Sequence, residues 1–349
     1  MPRSSSIRFL AIPSVTVLSV LLLIAGCAAN KGAVTTTTST GGAAATGKTG
    51  SPHAKAELPK EIDVALRLSA GNEWKSRFVS TSETKRTLTG ADGKESVKAR
   101  NVGIELTATQ KVVDVSGSVA RVEVTEVETR ILQDGKFVPA PYKQFNPPNP
   151  VSFTIDTATG KTDFSALRRA YEKWMADLME GPAGDIIGKA FRLPSYLAVI
   201  EGMYGKPFTR IAGRKLSAEE TLSGKDVILP FLGPGKAVSV VPVESAMRYT
   251  GFEAKGRKHL LNVSGSYTGQ PDLSSADELA VRLSDFGRPA PTSFTRSGSA
   301  SGRFQSFVDI LSGREERATA QLSYSAKWVF DGATLTEEVS SKSILEPVE

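Results

Sequence analysis

The sequence predicts a mainly β fold with a helical segment (α+β), built on long, curved antiparallel sheets. Three observations carry this reading. Ala318, Ala320, Leu322, Tyr324, Ala326, Trp328 and Phe330 share one parity, while Thr319, Gln321, Ser323, Ser325 and Lys327 hold the other. Side chains two apart leave a strand on the same face, so this is a strand with one dry and one wet side, about 40 Å long at roughly 3.3 Å per residue. A strand of that length twists into a curved sheet or barrel rather than lying flat. Further back, Ala120, Val122 and Val124 share a parity that Val127 and Ile131 leave; one phase shift near Glu126 marks a bulge, which bends a long strand. The period then changes: Leu167, Ala170, Tyr171, Trp174, Leu178 and Met179 fall at helical spacing from Ser165 to Gly181-Pro182.

In chain order, the first element is a leader. Arg3 and Arg8 precede an apolar run over residues 9–24, which ends in Ala25-Gly26-Cys27. Positive charge, apolar residues and then small residues is the order of an export signal. Pro13, Ser14, Thr16 and Ser19 dilute the run, which falls short of the roughly 20 apolar residues of a membrane span. Cys27 is the only cysteine, so no intramolecular disulfide accounts for it. Ile24-Ala25-Gly26-Cys27 resembles the bacterial lipobox. The resemblance implies cleavage after residue 26 and acylation of Cys27 on its sulfur and amine by fatty acids such as palmitate. Two or three chains would hold the protein firmly in a bilayer, where one would not. In such lipoproteins an aspartate after the cysteine favours the inner membrane; Ala28 therefore implies the outer membrane, with the body in the periplasm or at the cell surface.

Residues 27–55 are mostly Gly, Ala, Ser and Thr and include His53, read as a solvated linker histidine. A chain with so little apolar surface stays flexible, and about 25 residues of it span roughly 25–30 Å. The first sheet block, residues 56–162, has a short strand over residues 74–81 and a turn at Asp92-Gly93. Alternation of Ile104, Leu106 and Ala108 follows, then the bulged strand over residues 119–132 and a turn at Asp134-Gly135. Val151, Phe153 and Ile155 alternate before a turn at Thr159-Gly160. A helical segment, residues 163–204, holds the periodic helix and two shorter ones over residues 183–191 and 194–203. The second sheet block, residues 205–349, opens with Ser217 as a helix cap or loop residue. It continues with a strand over residues 237–241 stopped by Pro242, alternation of Leu261, Val263 and Tyr267, and a polar, Pro-rich crossing from Leu279 to Phe294. A closing meander turns at Ser312-Gly313 and Asp331-Gly332. Two half-barrel-like units are the expected arrangement, and one continuous sheet is the alternative.

Composition bounds the function. Without Arg3 and Arg8 the mature chain has 41 of the 43 basic side chains against 37 acidic ones, and the charges are interspersed. A nucleic-acid binder would concentrate them, so no nucleic-acid partner is expected. His259 is the sole histidine of the folded body, read as a solvated surface residue. No set of ligands for a metal is present, and neither is a nucleophile elbow or a phosphate-cradling loop. No metal, cofactor or catalytic residue is assigned. Carboxylate pairs such as Glu219 and Glu220, Asp272 and Glu278, or Glu315 and Glu316 keep a glycosidase-like hydrolase open, although solvent exposure accounts for them.

The body also resembles bacterial lipoprotein carriers, in which a curved antiparallel sheet with helices across its open face holds acyl chains. A Phe-x-Ile-Asp-x-x-x-Gly segment at residues 153–160, followed by helices and further strands, resembles uncharacterised bacterial lipoproteins. The expected function is a membrane-anchored envelope lipoprotein acting as a non-catalytic binding or scaffold module for a hydrophobic ligand. Its partners would be the bilayer, that ligand or another envelope protein, and Trp174, Tyr324 and Trp328 would line the apolar cavity. A carboxylate-dependent surface hydrolase and an envelope assembly or adhesion module are the alternatives.

Overall fold

The computed structural model describes residues 61–139, 148–180, 214–217, 221–228, 241–255 and 258–348, with Leu197, Ile200, Glu201, Tyr204 and Gly205. The leader, the tether with Cys27 and His53, the residues of the two shorter helices other than Leu197, Ile200 and Glu201, and Glu219, Glu220 and residues 237–240 lie outside them. No helix among the described residues is long and apolar enough to cross a membrane.

The strands are β1 (Glu61–Val64), β2 (Glu73–Thr89), β3 (Glu95–Ser116), β4 (Val119–Gln133), β5 (Lys136–Pro139), β6 (Val151–Asp156) and β7 (Thr162–Asp163). They continue with β8 (Arg214–Ser217), β9 (Leu222–Ile228), β10 (Val241–Lys255), β11 (Lys258–Gly269), β12 (Thr295–Asp309), β13 (Glu315–Phe330) and β14 (Ala333–Pro347). Among the described residues, the continuous helices are α1 (Ser165–Glu180) and α2 (Ala276–Ser284), and Leu197, Ile200, Glu201, Tyr204 and Gly205 are also helical. Among the described residues, twelve strands form one antiparallel sheet in the order β7-β6-β4-β3-β2-β14-β13-β12-β11-β10-β9, with β5 beside β4, and it does not close into a barrel. β14 joins the two sequence blocks by pairing with β2 from Thr334↔Thr89 to Pro347↔Ser76. β1 and β8 make a separate two-stranded pair.

The turns follow their sequence signals. Asp134 and Gly135, and Asp331 and Gly332, have positive φ, the conformation of tight hairpins that Asp-Gly accepts readily. The bulge expected near Glu126 appears as a register shift: Thr107 pairs with Glu128, but Thr109 with Thr125. β13 runs through the whole alternating stretch, and α1 has the predicted bounds, with Leu167 and Tyr171 buried and Trp174 half-buried.

Other elements differ, each for a physical reason. β2 extends to Thr89, well beyond the short strand expected, because its buried face continues in Ser82, Thr84 and Arg86 rather than in apolar residues. Ser217 ends β8 and caps no helix. Pro242 does not stop a strand: it lies inside β10, paired with Val227, while the ladder to β11 begins only at Val243. On that side no ladder bond needs the N–H that proline lacks. Residues 276–284 of the crossing form α2, whose cap Ser275 accepts a hydrogen bond from Glu278 N.

The sheet is two-faced. Its inner face carries two apolar clusters. One gathers Val243, Tyr249, Leu261, Val263, Tyr267, Phe304, Tyr324, Trp328 and Leu335 with Leu279 and Leu283 of α2. The other gathers Leu106, Val112, Val122, Val124, Phe153 and Ile155 with Leu167 and Tyr171 of α1. Gly265 belongs to the first: the Phe304 ring and the Ala246 carbonyl lie where a Cβ would stand, so only glycine lets the ring cover the strand.

The outer face is polar and laced with ion pairs. Arg77 donates to Glu105 at 2.6 Å and to Glu346 at 2.7 Å, and Arg130 reaches Glu105 at 3.2 Å. Burial pushes the Glu105 carboxyl up, but these hydrogen bonds outweigh it and hold the pKa below its ordinary 4.5. A carboxyl depressed on folding stabilises fully above the ordinary value and loses that contribution as pH falls through the folded value. Glu105→Gln is therefore expected to cost about 1 kcal/mol at pH 7, since water screens pairs this exposed; the two arginine side chains are 40 % and 39 % exposed. The difference should shrink as pH falls from 4.5 through the depressed folded value, as urea midpoints of both proteins followed from pH 7 into the acid range would show.

Candidate functional site: the inner face of the sheet

The cross-strand registers arrange the middle of the inner face in rows across β13, β14 and β2. From one end they are Trp328–Leu335–Leu88, Ala326–Glu337–Arg86, Tyr324–Val339–Thr84, Leu322–Ser341–Ser82, Ala320–Ser343–Ser80 and Ala318–Leu345–Phe78. β2 and β14 thus carry a narrow floor of small hydroxyl side chains between the two apolar clusters. Ser80 and Ser343 lie 3.2 Å apart and Ser82 and Ser341 2.9 Å apart, each pair sharing a hydrogen bond. Thr84 continues this floor, and among the described residues its buried Oγ1 has no hydrogen-bond partner. An unsatisfied buried hydroxyl costs about 1–3 kcal/mol, so this position favours a group that could bond to it.

Charged networks lie at both ends of the floor. At one end, Glu337 accepts from Arg86 Nε and, at 3.0 Å, from Arg282 Nε of α2. Asp285, which caps α2, accepts from Arg86 and Arg100. Arg282 also sits 5.1 Å from the centre of the Trp328 ring. Burial pushes the Arg282 pKa down, but Glu337 and its neighbours outweigh it and raise it. Burial, with the Glu337 carboxylate adding to it, raises the Tyr324 phenol far above its ordinary value, so it stays neutral. This network clamps α2 to the sheet.

The other end is a bulge. Phe307 pairs with Arg317, but Val308 with Glu315, so Glu315 and Glu316 stand together opposite one residue and both are buried. Sequence reasoning had accounted for them by solvent exposure; the register shift corrects that expectation, because the two residues of such a bulge share a side. Arg314 binds Glu316 and lies 5.0 Å from the Trp74 ring. Burial lowers the Arg314 pKa. Trp74 donates to Gln110 at 2.7 Å, and Gln110 to the Tyr204 carbonyl at 3.3 Å.

Tyr324 and Trp328 lie in the α2-side cluster, 3 % and 1 % exposed, whereas Trp174 packs against the α1-side cluster beside Tyr171, with ring centroids 5.7 Å apart. The fold therefore does not bring the three aromatic residues together. The residues that sequence reasoning missed are the hydroxyl floor and the α2 clamp; the Ser275-x-x-Glu278 capping pattern was the available signal for α2.

Catalytic acids need raised pKa values. Among the described carboxyls with a clear shift, Asp92, Glu105, Asp163 and Asp272 all move down. Of the proposed pairs, Asp272 accepts from Ser274 N, Glu278 is bound to Arg282 and Glu316 to Arg314. Among the described residues no group of three or more His, Cys, Asp or Glu side chains could hold a metal ion, and His259 is exposed on β11.

No family model matches the chain, and no curated protein does. Among solved structures, the chain is similar to one described as lipid-protein interactions in lipovitellin, with a TM-score of 0.38 and 9 % identity; the match covers 81 % of this chain and 26 % of that one. A second is an outer membrane channel from Pseudomonas putida F1, with a TM-score of 0.15 and 8 % identity, covering 82 % of this chain and 98 % of that one.

Proposed function

We propose that the chain is an envelope lipoprotein, acylated at Cys27 and tethered to the outer membrane, whose inner sheet face holds a hydrophobic or amphipathic ligand without chemistry of its own. The observation that carries the reading is the buried Thr84 hydroxyl, without a hydrogen-bond partner among the described residues, in the floor of small side chains between two apolar clusters. Small side chains leave depth, the flanking clusters favour an alkyl portion, and the hydroxyls accept a polar one. The commitment of Asp272 to a turn N–H group and of Glu278 and Glu316 to arginines weighs against the hydrolase.

The test is mass spectrometry of the full-length protein extracted from its own envelope. The expected N-terminus is acylated Cys27, and organic extraction should release a stoichiometric acyl-bearing molecule. Ser82→Trp, which fills the floor, should retain at least about tenfold less of it, while Cys27→Ser should move the protein out of the membrane fraction. An intact leader would overturn the anchor. Absence of retained lipid, with no uptake of a fluorescent fatty acid by the delipidated protein, would overturn the ligand.

A further inference from the structure

The outer face holds a feature that the inner-face reading does not use: a groove of about 660 Å³ across β10, β11 and β12. Its depth follows from side-chain size. Ala246, Ser264, Gly265 and Ser266 form the floor, and the longer Arg248, Arg303, Gln305 and Gln321 rise around it. The registers set two parallel rows, Arg248–Ser264–Gln305–Thr319 and Ala246–Ser266–Arg303–Gln321. Arg248 and Arg303 therefore straddle β11 diagonally, their stems starting roughly 12 Å apart across two strand spacings and a two-residue offset, with only serines between them.

The neighbouring acids have basic residues close by. Glu244 stands opposite Lys225, and Glu253 binds Arg317 at 2.8 Å. Arg303 is held by a neutral partner, donating to Gln321 Oε1 at 2.9 Å, and Gln305 donates to Asn262 at 3.1 Å. Among the described residues, neither Arg248 nor Arg303 forms an ion pair with a carboxylate. Two guanidinium forks suit an oxyanion, which they bind bidentately. Ser264, Ser266, Thr319 and the two glutamine amides supply both donors and acceptors for hydroxyl groups.

We propose that this groove is a second binding site, for a sugar or other polyol carrying a phosphate or carboxylate. It lies on the face opposite the hydroxyl floor, so the two sites can be filled together and neither depends on the other. The volume lies within the usual range for small-ligand sites of roughly 300–1,000 Å³.

The test is isothermal titration of the full-length protein with glucose 6-phosphate, glucuronate, glucose and inorganic phosphate. The two acidic sugars should bind more tightly than glucose or inorganic phosphate, and more weakly as salt rises. Arg248→Gln and Arg303→Gln should each lower their affinity at least about tenfold, a loss in keeping with one charged hydrogen-bonding partner. Arg317→Gln, on the same face but outside the groove, should leave it unchanged. The proposal is overturned by no binding of either acidic sugar at about 10 mM, by equal affinity in the wild type and the two groove variants, or by an equal loss in Arg317→Gln. Inorganic phosphate binding as tightly as the acidic sugars would overturn the polyol assignment.

Discussion

Replacing Glu337 by alanine is expected to destabilise the protein by about 3–5 kcal/mol, the cost of leaving buried charges without their partner. Its side chain is 4 % exposed and is shared between Arg86 and Arg282, themselves 9 % and 6 % exposed. Removing the carboxylate leaves two guanidinium groups facing each other in a dry site, with Asp285 and Glu278 to compensate. Glu337→Gln, which keeps the shape but not the charge, should also destabilise. Replacing Arg86, Arg282 and Glu337 together by apolar residues of similar volume should cost less than Glu337→Ala alone, because the desolvated charges go as a set. Urea unfolding followed by tryptophan fluorescence measures all three. A loss below about 1 kcal/mol in Glu337→Ala would place the network in the class of solvated surface pairs and remove the clamp on α2.

Trp328→Ala should cost a similar amount, about 3–5 kcal/mol, as a large side chain removed from a packed core. Trp328 is 1 % exposed, and Leu335 beside it and Leu279 and Leu283 of α2 are fully buried. Its ring also underlies Arg282, so the substitution empties apolar space and removes a face on which the charge rests. Trp174→Ala is the internal comparison. That side chain is only half-buried on α1, and its loss should be clearly smaller. Denaturant midpoints with unchanged slopes would show that stability, not the denatured state, has changed. Equal losses at the two tryptophans would contradict the placement of Trp328 at the centre of its cluster.

Much of the fold was legible where burial is apolar and local. The alternation that ends in Trp328 and Phe330, the bulge near Glu126, the Asp-Gly turns and α1 are periodic or conformational signals written in neighbouring residues. What escaped was burial of polar residues. Ser82, Thr84 and Arg86 look like a solvated stretch, yet they are inner-face residues of β2 whose partners, Ser341 and Glu337, lie more than 250 positions away. Glu315 and Glu316 looked exposed because adjacent strand residues ordinarily face opposite ways; a one-residue shift against β12 puts both inside. Leu279, Val281 and Leu283 alternate as in a strand, but the Ser275 cap and the apolar floor beneath Leu279 and Leu283 favour a helix.

The sequence by itself determined the class of the fold, the dry and wet faces of β13 and the export-signal pattern before Cys27, since each depends on residues a few positions apart. Only the tertiary structure decided that the two strand-rich blocks share one sheet, that the inner face holds two apolar clusters with a hydroxyl floor between them, and that Arg248 and Arg303 flank one groove. The reason is that pairing of β2 with β14, and of β10 and β12 with β11, sets cross-strand neighbours by register, and register is fixed by contacts between residues far apart in the chain.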